Sequence, residues 1–110
     1  MTARMLTFIT LVLIVACSNV FAIDPSICIA GGKVVFYESG SLRSCDLKDD
    51  YQANGIRCHN GNRISFYQNG NVESCILSER TTVGGNECGQ FVLISFYPDG
   101  KLKSCVKPVE

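Results

Sequence analysis

The sequence is poor in the residues on which enzymes and nucleic-acid-binding proteins depend. It has no tryptophan, one histidine and no net charge, with ten basic and ten acidic side chains in 110 residues. The charge balance leaves no basic surface for nucleic acid or for an anionic membrane. The lone histidine, His59, lies in an Asn-Gly turn and has no nucleophile in a recognisable pattern with it. We expect a solvated turn residue there, and no catalytic residue, cofactor or metal site.

Long apolar runs are also scarce, and the one that stands out lies near the start of the chain. The run Phe8–Ala16 is shorter than the roughly 20 apolar residues of a membrane-spanning helix. It suits a secretory signal peptide of residues 1–22, cleaved after Ala22. Alternatively, residues 14–17 (IVAC) resemble a bacterial lipobox, in which Cys17 is lipidated. Either interpretation predicts export to the periplasm or the exterior, with membrane attachment only through Cys17.

Cysteine is the residue that the chain has in excess. Six of its seven cysteines fall in residues 23–110, which we predict to be a single exported domain. An even number in a short exported chain predicts disulfides, and the absence of any Cys-x-x-Cys pair argues against zinc. The spacings of 17, 13, 17, 13 and 17 residues define a period of 30. The three cores, residues 28–45, 58–75 and 88–105, are called units 1, 2 and 3 below.

The three units align without gaps, which indicates a tandem repeat. Two further positions stay aliphatic, and the connecting stretches 48–54 and 78–86 are polar and divergent, which predicts loops. The positions identical in all three units are both cysteines, Phe36/Phe66/Phe96, Tyr37/Tyr67/Tyr97, Gly40/Gly70/Gly100 and Ser44/Ser74/Ser104.

Within each unit, alternating residues flank a glycine-containing turn, which is the pattern of a β-hairpin. In unit 3 a two-residue loop would place Pro98 where the strand ladder needs a backbone N–H, which proline lacks. A three-residue loop instead places Pro98 at the second position of a type I turn and Gly100 in the left-handed conformation. We therefore predict a three-residue loop in all three units.

This loop sets the register of the two strands, and with it the face on which each side chain lies. It predicts Phe66 opposite Val72 and Ile64 opposite Ser74 on one face. The other face is predicted to carry Ser65, Tyr67, Glu73 and Cys75. A short strand at 56–58 is expected before the hairpin. No stretch has helical periodicity, so we predict an all-β domain of three hairpin repeats in an antiparallel meander or solenoid-like array, crosslinked by disulfides.

Two disulfide pairings remain open. The first joins the two cysteines of each unit: Cys28–Cys45, Cys58–Cys75 and Cys88–Cys105. It treats all units alike, but in a flat meander the two cysteines lie two strands apart, about 9–10 Å, which is too far for a disulfide. The second pairing joins neighbouring units, through Cys45–Cys58 and Cys75–Cys88, and closes the ends with Cys28–Cys105.

The hairpin segment resembles a known repeat. Residues 64–72, Ile-Ser-Phe-Tyr-Gln-Asn-Gly-Asn-Val, and their two copies are similar to a MORN-type repeat variant, whose units are hairpins with an aromatic pair, a turn glycine and a following aliphatic residue. The resemblance covers the hairpins, about half of residues 23–110. It implies a stack of hairpins used for protein or lipid contact and no catalytic residues. The longer period and the paired cysteines depart from the family's pattern.

These features predict a small exported, non-enzymatic β-repeat protein that acts as an interaction or envelope-associated module. The tyrosine column, Tyr37, Tyr67 and Tyr97, is the one repeated surface feature. We expect it either to cover the disulfides and support the sheet or to bind a protein or glycan partner. Two alternatives are an envelope lipoprotein attached through Cys17 and a secreted effector or inhibitor that uses an exposed loop such as Lys48–Gly55.

Overall fold

The computed structural model describes residues 23–109, and within them the fold is all-β, as predicted. The proposed signal segment, its cleavage site at Ala22 and the alternative lipidation site Cys17 lie outside the described residues. A single short 3-10 turn, Pro25–Ile27, begins the described part. The strands that follow are β1 (Val35–Phe36), β2 (Leu42–Asp46), β3 (Tyr51–Ala53), β4 (Ile56–Cys58), β5 (Arg63–Phe66), β6 (Val72–Ile76), β7 (Thr81–Val83), β8 (Asn86–Cys88), β9 (Leu93–Phe96) and β10 (Leu102–Cys105).

Six of these strands form one antiparallel sheet in the order β1-β2-β5-β6-β9-β10. Each unit contributes one hairpin, β1–β2, β5–β6 or β9–β10. Adjacent hairpins join through β2–β5 and β6–β9. We call these two pairings junction 1 and junction 2.

The turn of each hairpin is the predicted three-residue loop. In unit 3 the amide of Gly100 donates to the carbonyl of Tyr97, and the amide of Tyr97 donates to the carbonyl of Lys101, at 2.9 and 2.8 Å. Pro98 is the second residue of this turn, and Gly100 has a φ of 93°, a conformation that glycine adopts without steric cost. The other two units make the same pair of hydrogen bonds.

The predicted register is correct beside the turn and wrong one step further along the strands. Phe66 pairs with Val72, but Ser74 pairs with Ser65 rather than with Ile64. The physical reason is a β-bulge: Glu73 is an extra residue on the second strand, so alternation restarts after it. The restart turns Cys75 into the core, where it is 1% exposed, instead of onto the tyrosine face.

The connecting stretches, predicted as loops, contain strands of their own. β3 pairs with β4 and β7 pairs with β8, so each connection forms a separate two-stranded hairpin. The predicted strand at 56–58 is present as β4; it pairs with β3 and is not a strand of the six-stranded sheet, although Cys58 forms an isolated bridge to Leu77 directly after β6. Asn54 and Gly55 both have positive φ, as a two-residue Asn-Gly turn requires. Short strands and a tight turn, rather than irregular chain, therefore connect the units.

The connecting hairpins pack on one face of the six-stranded sheet and enclose the core. Tyr51 of β3 meets Phe66 of β5 edge to face, with ring centroids 5.9 Å apart. Ile56 of β4 is buried in the same apolar cluster as Ile64 and Val72 of the sheet. The result is two layers, with the core between them.

This layering explains the disulfide pairing. The bonds are Cys28–Cys45, Cys58–Cys75 and Cys88–Cys105, with Cα–Cα distances of 5.7, 5.7 and 5.6 Å. The pairing within units is confirmed, and the rival pairing between units is wrong. The expected obstacle was a separation of two strands in one sheet. It does not arise in units 2 and 3, because β4 and β8 lie outside the six-stranded sheet, so each bond links the two layers.

Candidate interaction surface

The face of the six-stranded sheet that points away from the connecting hairpins carries the side chains available to a partner. Its most regular feature is a row of serines, one from each of five adjacent strands. They pair directly across the sheet in the order Ser44, Ser65, Ser74, Ser95 and Ser104. The bulge in each unit creates this row, because it places a serine rather than a charged residue in register with the neighbouring strand.

The tyrosines lie beside this row and connect the units. The hydroxyl of Tyr37 donates to the main-chain carbonyl of Phe66 at 2.7 Å, and that of Tyr67 donates to the carbonyl of Phe96 at 2.7 Å. Desolvation raises the pKa of the Tyr67 phenol, and the carboxylate of Glu73 adds to the rise. The Tyr67 phenol is therefore a protonated donor at neutral pH, and both hydroxyls hold the next unit.

Tyr97 differs, because no further unit follows it in the described part of the chain. Its side chain is half-exposed, and its hydroxyl has no acceptor among residues 23–109. The ammonium group of Lys103 lies 5.9 Å from the centroid of its ring, as the guanidinium of Arg43 lies over Tyr37. Two of the three tyrosines thus have a structural role, and partner binding by the column stays a prediction.

Three exposed apolar side chains, Phe91, Leu93 and Val106, lie in or close to β9 and β10 at the unit 3 end of the sheet, and each is more than half exposed. Leu93 pairs with Ile76 across junction 2. The matching pair at junction 1 is Asp46 and Arg63, whose charged groups lie 3.8 Å apart. The same position in the sheet is therefore ionic at one junction and apolar at the other.

These three residues, called the C-terminal apolar patch below, were not predicted from the sequence, because none of them is a position shared by all three units. The usable signal lay in the positions that differ between units. Arg63 is replaced by Leu93 one period later, on an outward-facing strand position. A single exposed aliphatic residue is ordinary, but several exposed apolar residues near one another mark a contact surface.

His59 is less solvated than predicted. Its ring packs against Phe91 with centroids 4.9 Å apart, and its Nδ1 lies 3.6 Å from a carboxylate oxygen of Asp50. Asp50 itself accepts two hydrogen bonds from Asn60, from the backbone N–H and the side-chain amide, both at 2.9 Å. The backbone N–H of Asn60 is the main cause of the lowered pKa of Asp50, and His59 and Arg57 add to it. This cluster braces the turn at 59–62.

The stretch Lys48–Gly55, predicted as an exposed loop, is held in place. Tyr51 packs on the core, and the side-chain amide of Asn54 donates to the carbonyl of Gly100 at 3.3 Å. In the part of the chain that the structure describes, no group of three histidine, cysteine, aspartate or glutamate residues could hold a metal ion. Within the same residues, no helix is long and apolar enough to cross a membrane.

Comparisons with protein-family models, with curated proteins and with solved structures found no match to this chain. The likeness to a MORN-type repeat therefore remains a resemblance in the hairpin residues. Function is inferred from the chemistry of the surface, since a fold by itself does not specify an activity.

Proposed function

We propose that this chain is an exported, non-enzymatic interaction module that binds a protein partner on the outward face of its sheet. The observation that carries the proposal is the C-terminal apolar patch. Leu93 lies in the strand that carries Ser95, Val106 directly follows the strand that carries Ser104, and Phe91 lies two residues before Leu93; exposed apolar surface beside small polar residues is the composition of a protein contact rather than of a catalytic cleft. Aliphatic side chains favour a protein over a glycan as the partner.

The six disulfide-bonded cysteines support an oxidising compartment for this chain. Three intramolecular disulfides fit an oxidising environment, which is extracellular or periplasmic. We propose that the signal peptide of residues 1–22 delivers the chain there and that cleavage leaves Ile23 as the first residue. The lipoprotein alternative, with Cys17 modified, leaves the interaction surface unchanged and adds a membrane anchor.

The intact mass of the chain from its native cell envelope, before and after reduction, separates these two forms. A chain that begins at Ile23, with six cysteines alkylated only after reduction, is the expected result. A chain that begins at an acylated Cys17 would replace the soluble form by the lipoprotein. Alkylation of all six cysteines without reduction would contradict the disulfides and the oxidising compartment.

The binding surface is tested by a photo-crosslinking amino acid placed at Leu93 in the exporting cell. A matched control carries the same group at Glu79, which is exposed but lies in a connecting stretch. We expect a covalent adduct with another protein at position 93 and none at position 79. The adduct should be lost when Val106→Lys adds a charge to the patch. Equal labelling at the two positions, or none at 93, would contradict the proposal.

A further inference from the structure

The two internal junctions use one register, which shows how a unit binds its neighbour. At junction 1, Ser44 pairs with Ser65 and Cys45 with Ile64. At junction 2 the residues one period later, Ser74 with Ser95 and Cys75 with Ile94, pair in the same way. Each junction also has a tyrosine hydroxyl that donates to the main-chain carbonyl of a phenylalanine in the next unit.

The two outer strands of the sheet each present half of such a junction. β10 corresponds to β2 and β6, each of which pairs with the first strand of the next unit. β1 corresponds to β5 and β9, the strands with which β2 and β6 pair. Within residues 23–109 both strands pair on one side only. An open strand edge of this kind is a template for pairing with another chain.

Side chains at these two edges are exposed to solvent, whereas the equivalent side chains in the middle of the sheet are buried. Phe36 is 49% exposed, whereas Phe66 and Phe96 are 0% and 1% exposed. At the other edge, a cleft lies open beside β8, and its lining includes Glu87, Lys103 and Lys107 as well as Leu102 and Cys105. Leu102 and Cys105 are only partly buried there, whereas the equivalent Leu42, Val72, Cys45 and Cys75 are at most 2% exposed. Apolar side chains that are covered in the middle of the array are therefore open to solvent at both outer edges.

Charge also distinguishes the ends. The turn that follows β1 contains Glu38, whereas Lys101 directly precedes β10 and Lys103 lies within it. At junction 2 the side chain of Asn71 donates to the carbonyl of Pro98 at 2.8 Å. The residue of unit 3 that is equivalent to Asn71 is Lys101. In a second copy that follows unit 3, the residue equivalent to Pro98 is Glu38 of its unit 1, so Lys101 would lie beside Glu38. A junction between two copies would therefore bring opposite charges together.

We propose that copies of this chain associate head to tail, β10 of one copy pairing with β1 of the next in the register of the internal junctions. This goes beyond the partner proposed above, because it uses the sheet edges and names a second copy as their occupant. Ser104 would face Val35 of the next copy, and the free hydroxyl of Tyr97 would donate to its Phe36 carbonyl. A contact between two different surfaces leaves one edge open at each end, so the product is a chain of copies or a closed ring.

The contact is weaker than the internal junctions. Lys107 stands where Leu47 and Leu77 are buried, so one apolar contact is missing between copies. Lysines on an edge strand also oppose unselective pairing, which restricts the edge to a partner of matching charge. We therefore expect reversible association that rises with concentration and falls with salt.

Sedimentation velocity of the exported chain over a concentration series tests this inference through a charge swap at two exposed turn residues. Glu38→Lys and Lys101→Glu should each raise the dissociation constant at least about threefold, since each places like charges in contact. The double variant, or a mixture of the two single variants, should regain association, because an opposite-charge pair is restored. Glu79→Lys and Lys48→Glu serve as controls of equal charge change away from both edges.

A monomer at all concentrations up to about 1 mM, where even weak contacts are populated, would overturn the proposal. Association that persists in both single variants, or that the double variant does not restore, would also overturn it, because the contact would then lie elsewhere. Neither result bears on the adduct at Leu93, so a failure here is distinguishable from a failure of the proposed function.

Discussion

The middle of the sheet and its two ends are built from the same residues in different surroundings. Phe66 and Cys75 of unit 2 are fully enclosed, whereas Phe36 of unit 1 is half-exposed and Cys105 of unit 3 is only partly buried. Tyr67 binds the next unit, and Tyr97 has no next unit in the described chain. The same residue types are thus buried in the middle of the sheet and open to a partner at its ends, because each unit is buried by the units on either side of it.

The largest expected difference between middle and end is at the core phenylalanine. Phe66→Ala should lower the free energy of unfolding by about 3–5 kcal/mol, because it leaves a cavity between the layers. Phe36→Ala should cost about 1 kcal/mol, since much of that side chain is already in water. Chemical denaturation of both variants measures the difference, and equal losses would show that the two ends are as well packed as the middle.

Removal of a disulfide should follow the same order. The double substitution Cys58→Ser with Cys75→Ser opens the loop of unit 2 and should cost about 2–4 kcal/mol. Removing Cys88 and Cys105 in the same way should cost less, because Cys105 is less buried and has no unit beyond it. Melting temperatures under oxidising conditions test the order. An unchanged melting temperature for the unit 2 variant would contradict the crosslinked framework.

A smaller effect is expected at the tyrosines. Tyr67→Phe removes the hydroxyl that reaches Phe96 and should destabilise the fold by about 0.5–1.5 kcal/mol. Tyr97→Phe is the matched control, and in dilute solution it should leave stability unchanged. A comparable loss in both variants would mean that Tyr97 has an intramolecular acceptor, and the difference between the middle and the C-terminal end would disappear.

The smallest effect concerns pH and the turn braced by Asp50. Its pKa is lowered from 3.8 in the folded state, chiefly by the backbone N–H of Asn60. The stabilisation is therefore present above the unfolded pKa and is lost as the pH falls through the lower folded pKa. Asp50→Asn should flatten the loss of stability below about pH 4, measured by thermal melts across that range. An identical pH dependence of stability in both proteins would show that the Asp50 carboxylate does not stabilise the turn.

Much of the fold was accessible from the spacing of residues, and the errors share one cause. Cysteine spacing predicted the unit, and Pro98 predicted the turn, because both act through local chain geometry. The bulge at Glu73 was not predictable from local chain geometry, because an extra residue does not alter the local preference for a strand. The bulge is stabilised by packing, since it places Cys75 in the core. The strands β3 and β7 were not predicted because each has only three residues and lies within a polar, divergent stretch, where so short a segment gives no clear alternation.

The candidate site was less accessible than the fold. The tyrosine column was visible as a repeat, but its hydrogen bonds depend on how one hairpin is placed against the next. The C-terminal apolar patch and the open edges are properties of the ends of the array. A comparison of units for what they share does not reveal them, whereas the change from Arg63 to Leu93 does.

Amide hydrogen exchange of the disulfide-bonded chain, followed by mass spectrometry at low and at high protein concentration, tests the contrast between middle and ends most directly. In dilute solution, β5 and β6 should exchange slowly and β1 and β10 rapidly. At high concentration the amides of β1 and β10 should gain protection, while those of β5 and β6 stay unchanged. Equal protection of all four strands in dilute solution, or edge strands whose exchange does not depend on concentration, would contradict the account.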